Sequence, residues 1–123
     1  MKLVITATGS TLDDTLEPRF GRAPFLICVD SETGEVSSES NAANAEAAQG
    51  AGIQTAGRVA SLGGEAVVTG DVGPKAFDVL ATAGVAVYLA DDRITVAEAV
   101  ERWKKGELRQ VDNPTVGAHR RGR

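Results

Sequence analysis

The sequence predicts an α/β sandwich built on a mixed five-stranded sheet. Three observations predict it: an amino-terminal apolar run rich in Val, Ile and Thr, two strand-like stretches joined by a short Gly-containing turn, and an alternation of helical and strand patterns from residue 53 onward. The order that results is strand, strand, strand, helix, strand, helix, strand, helix. It reads as an antiparallel hairpin feeding two right-handed crossovers.

"KLVITAT" (2–8) is a buried strand stopped by Gly9-Ser10, and a long loop follows it. "PFLICVD" (24–30) and "EVSSES" (35–40) flank "SETG", where Gly34 suits a hairpin turn. "NAANAEAAQGAG" (41–52) is small and polar and reads as a loop. It precedes a helix in which Ile53, Ala56 and Ala60 recur at helical spacing and Gly63-Gly64 forms the stop. "EAVVTG" (65–70) is the next buried strand. "GPKAFDVLATAG" (73–84) places Pro74 at a first helical position, Phe77 and Leu80 on one side and Gly84 at the end. "VAVYLA" (85–90) is the last strand. Thr95 and Glu98 then offer a capping box for a helix that gathers Val96, Ala99, Val100 and Trp103 on one face and ends at Gly106.

A chain of 123 residues suits one domain, and with 42% hydrophobic but only 4% aromatic residues its interior must be filled by Ala, Val and Leu. No stretch approaches the roughly 20 apolar residues that span a bilayer, and the amino terminus runs into a strand without a signal-peptide core. The expected location is therefore the cytoplasm, away from membranes. Cys28 cannot form an internal disulfide, and with only His119 beside it there is no tetrahedral zinc set. Charge is uneven: residues 1–101 carry 15 acidic and 6 basic groups, residues 102–123 carry 2 and 7. The expected organisation is a single domain over 1–114 and a basic, disordered tail over 115–123, on which His119 is solvated. The tail lacks interleaved aromatics, so nucleic-acid binding is not expected.

Strands that alternate with helices lie parallel, so the loops at 9–23, 40–52, 69–74 and 90–95 should gather at one edge of the sheet. Open α/β sheets bind ligands at that edge. Two of these loops end at helix amino termini, which favour anions, and Arg19 and Arg22 arrive from the first. The glycines either let a ligand approach the main chain or simply serve turns, and the residues alone leave both readings open.

Other chemistries fit poorly. "GDVGPKAF" lacks the spacing and ending of a P-loop, and "GAGIQT" has Thr where the third glycine of a dinucleotide motif belongs. No serine sits in G-x-S-x-G, and the one histidine is in the tail. A ribonuclease-H-like nuclease needs carboxylates clustered at strand ends, whereas the first strand carries Thr6 and Thr8; Asp71, Asp91 and Asp92 read as loop aspartates. Cys28 lies mid-strand among apolar residues and reads as a buried filler. The chain is accordingly read as non-enzymatic, with no catalytic residue and no side-chain metal ligand.

"PRFGRAPFLICVD" (18–30), "GAGIQ" (50–54), "GDVGPKAFDVL" (70–80) and "TVAEAVERWKKGEL" (95–108) together resemble the dinitrogenase iron-molybdenum cofactor biosynthesis family, the NifX-like accessory proteins and the domain appended to NifB. The resemblance runs from residue 2 to 114. It implies a three-layer α/β/α, ribonuclease-H-like fold without nuclease carboxylates, which binds or carries an iron-sulfur cluster or an iron-molybdenum cofactor precursor. Phe20, Gly21 and Arg22 match the family's FGR segment, and Asn41, Gly50 and Gly52 match its Asn- and Gly-rich loop. In that picture Arg22 neutralises charge and the glycines permit close approach. Arg19 stands where many relatives have His immediately before Phe-Gly, and arginine cannot coordinate iron as that His would. Electrostatic capture, ligation shared between subunits, or a function moved away from metal are the alternatives this leaves.

Two functions are expected on these grounds. The first is a non-enzymatic carrier or accessory protein for an iron-sulfur or iron-molybdenum cofactor precursor. The second is a protein-interaction module in metal-cluster assembly with no ligand of its own. Cluster-assembly or nitrogenase-type proteins are the implied partners, and a homo-oligomer is left open.

Overall fold

The structure, a computed structural model, describes residues 1–91 and 93–114. Asp92, His119 and the basic segment 115–123 lie outside the described residues, as do the expectations attached to them.

Strand β1 (Lys2–Ala7) is apolar on both faces because it sits inside the sheet, antiparallel to β2 (Phe25–Asp30) and parallel to β4 (Ala66–Thr69). β3 (Val36–Ser40) pairs antiparallel with β2 through the turn at Gly34, whose amide donates to Asp30 O at 2.8 Å. β5 (Ala86–Leu89) lies parallel to β4, and β6 (Arg109–Val111) closes the order β3-β2-β1-β4-β5-β6. The sheet is mixed, as expected, but it has six strands among the described residues where the sequence predicts five. Residues 109–111 carry no apolar run of their own. They become a strand because β5 offers them an unpaired edge.

Alternation along the strands divides the core in two. On one face Leu3, Ile5, Ile27, Val29 and Val68 pack with Val96, Ala99 and Val100 of helix α4 (Val96–Lys104). On the other, Val4, Leu26, Cys28, Val67 and Val87 pack with Ala56 and Val59 of α2 (Ala51–Ser61) and with Ala76 and Leu80 of α3 (Pro74–Thr82). Helices therefore cover both faces, the arrangement of a three-layer α/β sandwich. Each fully buried Val or Leu contributes about 1.5–3 kcal/mol, so the two aliphatic clusters stabilise the fold without a large aromatic payload.

Helix α4 follows its sequence signals closely. Thr95 Oγ1 accepts the Glu98 amide at 3.1 Å, and Trp103 meets Tyr88 edge-on with ring centroids 6.3 Å apart. Two small elements go beyond the sequence reading: a single turn, α1 (Ala42–Ala45), and a 3-10 turn over Phe20–Arg22. α2 starts at Ala51, two residues before Ile53, and buries Ala51, Thr55, Ala56 and Val59. Ile53 is consequently not a core residue: it is 42% exposed. None of the helices among the described residues is long and apolar enough to cross a membrane.

Candidate functional site

Three of the four expected loops come together at the sheet edge. Residues 19–22, 50–53 and 71–76 surround a cavity of about 510 Å³, within the usual range for a small-ligand site. From the fourth, residues 94 and 95 meet the first loop, where Leu16 donates to Ile94 O at 3.0 Å and Thr15 bridges Thr95.

The 3-10 turn is mounted on the loop between β4 and α3. Pro18 O accepts the amides of Gly70 at 3.1 Å and Asp71 at 2.7 Å, and Phe20 donates to Asp71 O at 3.2 Å. Phe20 is anchored in the core cluster beneath α2 and α3. Gly21 then passes directly against the start of α2. A Cβ on it would lie 2.7 Å from Gly52 N and 2.8 Å from Gly52 Cα, so only glycine fits. Gly52 in turn faces Ala76, which a Cβ on Gly52 would approach at 3.3 Å, bringing the first turns of α2 and α3 side by side.

Both helices present bare amino termini to the cavity. Gly50, in the left-handed conformation at φ 76°, leads into α2, whose first intrahelical bond is Gln54 N to Gly50 O at 2.9 Å. The amides of Ala51, Gly52 and Ile53 thus have no intrahelical acceptor. Gly73 leads into α3, where Pro74 has no amide and those of Lys75 and Ala76 precede the Phe77-to-Gly73 bond at 2.9 Å. Among the described residues no side chain caps either helix, and neither first turn contains a carboxylate. α4, with its Thr95 cap and Glu98, shows the opposite arrangement. Two positive dipole ends therefore meet at one cavity.

The predicted site residues separate by what they touch. Arg19, Phe20, Gly21, Arg22, Gly50 and Gly52 all line the cavity. Arg19, itself exposed, pairs through Nε with Oε2 of the nearly buried Glu17 carboxylate at 3.3 Å, and the same oxygen accepts the Arg19 amide at 3.1 Å. Arg22 Nη1 donates to Ala45 O at 2.8 Å and to Ala47 O at 2.9 Å, holding the carboxy end of α1. Asn41 is not at the cavity surface. It is buried, with Nδ2 donating to Ala23 O at 2.9 Å and Thr55 Oγ1 at 3.0 Å and Oδ1 accepting from Asn44 at 2.8 Å, so it fixes the loop from behind. Lys75, Ile53, Asp71, Pro74 and Ala76 also line the cavity and are absent from the sequence-based set. "GPK" opening a helix was the available signal for Lys75.

Among the described residues the lining offers no thiol, imidazole or hydroxyl. Cys28 is in the core, where burial raises its thiol above the ordinary value and suppresses the thiolate. Among the described residues no group of three or more His, Cys, Asp or Glu side chains is placed to hold a metal ion. Phe20, Ala51, Ile53, Pro74 and Ala76 give the cavity apolar walls. Amides, three cations and apolar surface, with the Asp71 carboxylate beside them, make a described lining that can attract an anion by charge and hold it by dispersion.

The family model described as dinitrogenase iron-molybdenum cofactor matches residues 1–106. The apo orange protein from Desulfovibrio gigas superposes with a TM-score of 0.90 at 37% identity, over 93% of this chain and 95% of its own. A Thermotoga protein described as a candidate NifB superposes with a TM-score of 0.83 at 31% identity, over 95% and 98% of the two chains. An uncharacterised protein of Methanocaldococcus jannaschii is 28% identical over 102 residues, covering 81% of this chain and 86% of that protein. The chain belongs to the dinitrogenase iron-molybdenum cofactor family.

Proposed function

We propose that this protein is a non-enzymatic carrier or accessory protein that holds an anionic iron-sulfur or iron-molybdenum cofactor precursor as cargo in the cavity between the 3-10 turn and the amino ends of α2 and α3. One observation carries the reading: two helix amino termini without side-chain caps converge on a cavity lined by Arg19, Arg22 and Lys75. Family membership and the likeness to the orange protein support a cofactor-related role. Arg19 and Arg22 supply long-range attraction, the helix amides supply donors, and Ile53 and Pro74 supply apolar contact.

We also read the fold as ribonuclease-H-like, from the order β3-β2-β1-β4-β5 with β2 antiparallel to β1. Thr6 and Thr69 lie in the adjacent central strands β1 and β4, their hydroxyls 2.8 Å apart, with Thr6 also donating to Glu17 O at 2.7 Å. A buried hydroxyl pair there, in place of paired carboxylates, supports a carrier over a metal-dependent nuclease. Delivery of such cargo calls for cluster-assembly or nitrogenase-type partners in a reducing cytoplasm, in which a lone Cys28 stays a thiol.

Anaerobic mixing with a reconstituted iron-sulfur cluster, followed by gel filtration with visible absorbance and metal analysis, tests the reading. Colour and iron should co-elute with the protein and dissociate as ionic strength rises. Absence of both under every reducing condition overturns it and leaves the interaction-module reading in its place.

A further inference from the structure

Among the described residues three basic side chains line the cavity, and they are not equivalent. Arg19 is engaged at Nε by the Glu17 carboxylate. Arg22 has Nη1 occupied by the carbonyls of Ala45 and Ala47, so its position serves the chain segment beside the cavity. Lys75 differs from both: among the described residues its ammonium makes no hydrogen bond and joins no ion pair.

Its placement is also locally unfavourable. Lys75 is the second residue of α3, where the helix dipole repels a cation; among the described residues the first turn itself holds no carboxylate, and Asp71, which also lines the cavity, precedes the helix and makes no ion pair with Lys75. α4 obeys the ordinary rule, with Glu98 in its first turn and Arg102 and Lys104 in its last. A chain that distributes charge correctly on one helix and against the dipole on another has a local conflict, and such conflicts are expected at functional sites. An anion at the cavity would pair with the ammonium and accept from the helix amides at once, turning the repulsion into attraction.

We infer that Lys75 is the side chain that contacts the anionic cargo and sets the selectivity for net negative charge, whereas Arg22 is a positioning residue for the 45–47 segment. The inference rests on the carrier reading of the same cavity. Tetrathiomolybdate, a coloured metal-sulfide dianion, serves as the probe in anaerobic equilibrium dialysis with the full chain. Lys75→Gln should weaken binding about ten- to a hundredfold, the usual effect of losing one charge-assisted hydrogen bond, while Lys75→Arg stays within about threefold of wild type. Lys104→Gln, on the exposed end of α4, removes the same charge elsewhere and should leave binding unchanged. An unaltered melting temperature for Lys75→Gln shows that its loss of binding is not a folding defect. Wild-type binding with Lys75→Gln within about twofold of it overturns this assignment alone. Failure of wild type to bind either the probe or a reconstituted cluster overturns the carrier reading and the assignment with it.

Discussion

Replacing Gly21 by Ala adds one methyl group at the point where the 3-10 turn touches α2. That methyl carbon would sit 2.7 Å from Gly52 N, 2.8 Å from Gly52 Cα and 3.1 Å from Ala51 C, all of them backbone atoms. A side chain could rotate away, but a helix start can only be pushed. Overpacking of this kind costs about 1–3 kcal/mol, and contact with backbone places Gly21→Ala in the upper part, about 2–3 kcal/mol. At roughly 4 °C per kcal/mol for a chain of this length, the melting temperature should fall by roughly 8–12 °C. Anion binding should weaken as well, because the displaced turn no longer closes the cavity over the α2 amides. Gly57→Ala is the matched control: it lies within α2, is exposed, and its added Cβ would meet nothing within 4 Å. There the same substitution should stabilise by about 0.5–1 kcal/mol, since alanine is the better helix former. Thermal melts by circular dichroism read both variants. A Gly21→Ala protein melting within about 2 °C of wild type would refute the close-approach argument.

Three further outcomes are expected. Arg22→Ala frees the carbonyls of Ala45 and Ala47, and amide hydrogen exchange should accelerate at 45–47 while β1 and β4 keep their protection. Cys28, buried and with its thiol raised by burial, should react with iodoacetamide only after unfolding; rapid labelling of the native protein would contradict its core placement. Asp30 is held below the ordinary aspartate value by the amides of Glu32 and Thr33, so its contribution is present above the unfolded pKa and lost as pH falls through the folded one. Asp30→Ala should therefore lower stability at neutral pH, and the difference from wild type should vanish in strong acid. A difference that persists there contradicts this role.

The elements with strong local signals were legible in the sequence. β1 declared itself through an apolar run, α3 through Pro74, and α4 through Thr95 and Glu98, because each signal reflects a bond or a burial pattern made within the element. β6 was not legible, since it exists by pairing with β5 and its three residues need no apolar pattern. Ile53 misled for a related reason: helical spacing shows that residues share a face, but not whether that face meets the core or a cavity. At the site, the sequence indicated three of the loops that gather and also included 90–95, none of whose described residues lines the cavity. It could not show that Arg22 faces two carbonyls or that Asn41 serves the loop from behind, because those roles depend on residues about twenty positions away.

The central claim is that the amino ends of α2 and α3 jointly hold an anion. Amide chemical-shift mapping during an anaerobic tetrathiomolybdate titration tests it most directly. The resonances of Ala51, Gly52, Ile53, Lys75 and Ala76 should move together along one saturating curve while those of Lys104 and Lys105 stay fixed. Saturable binding whose shifts fall elsewhere and leave both helix starts untouched would contradict it.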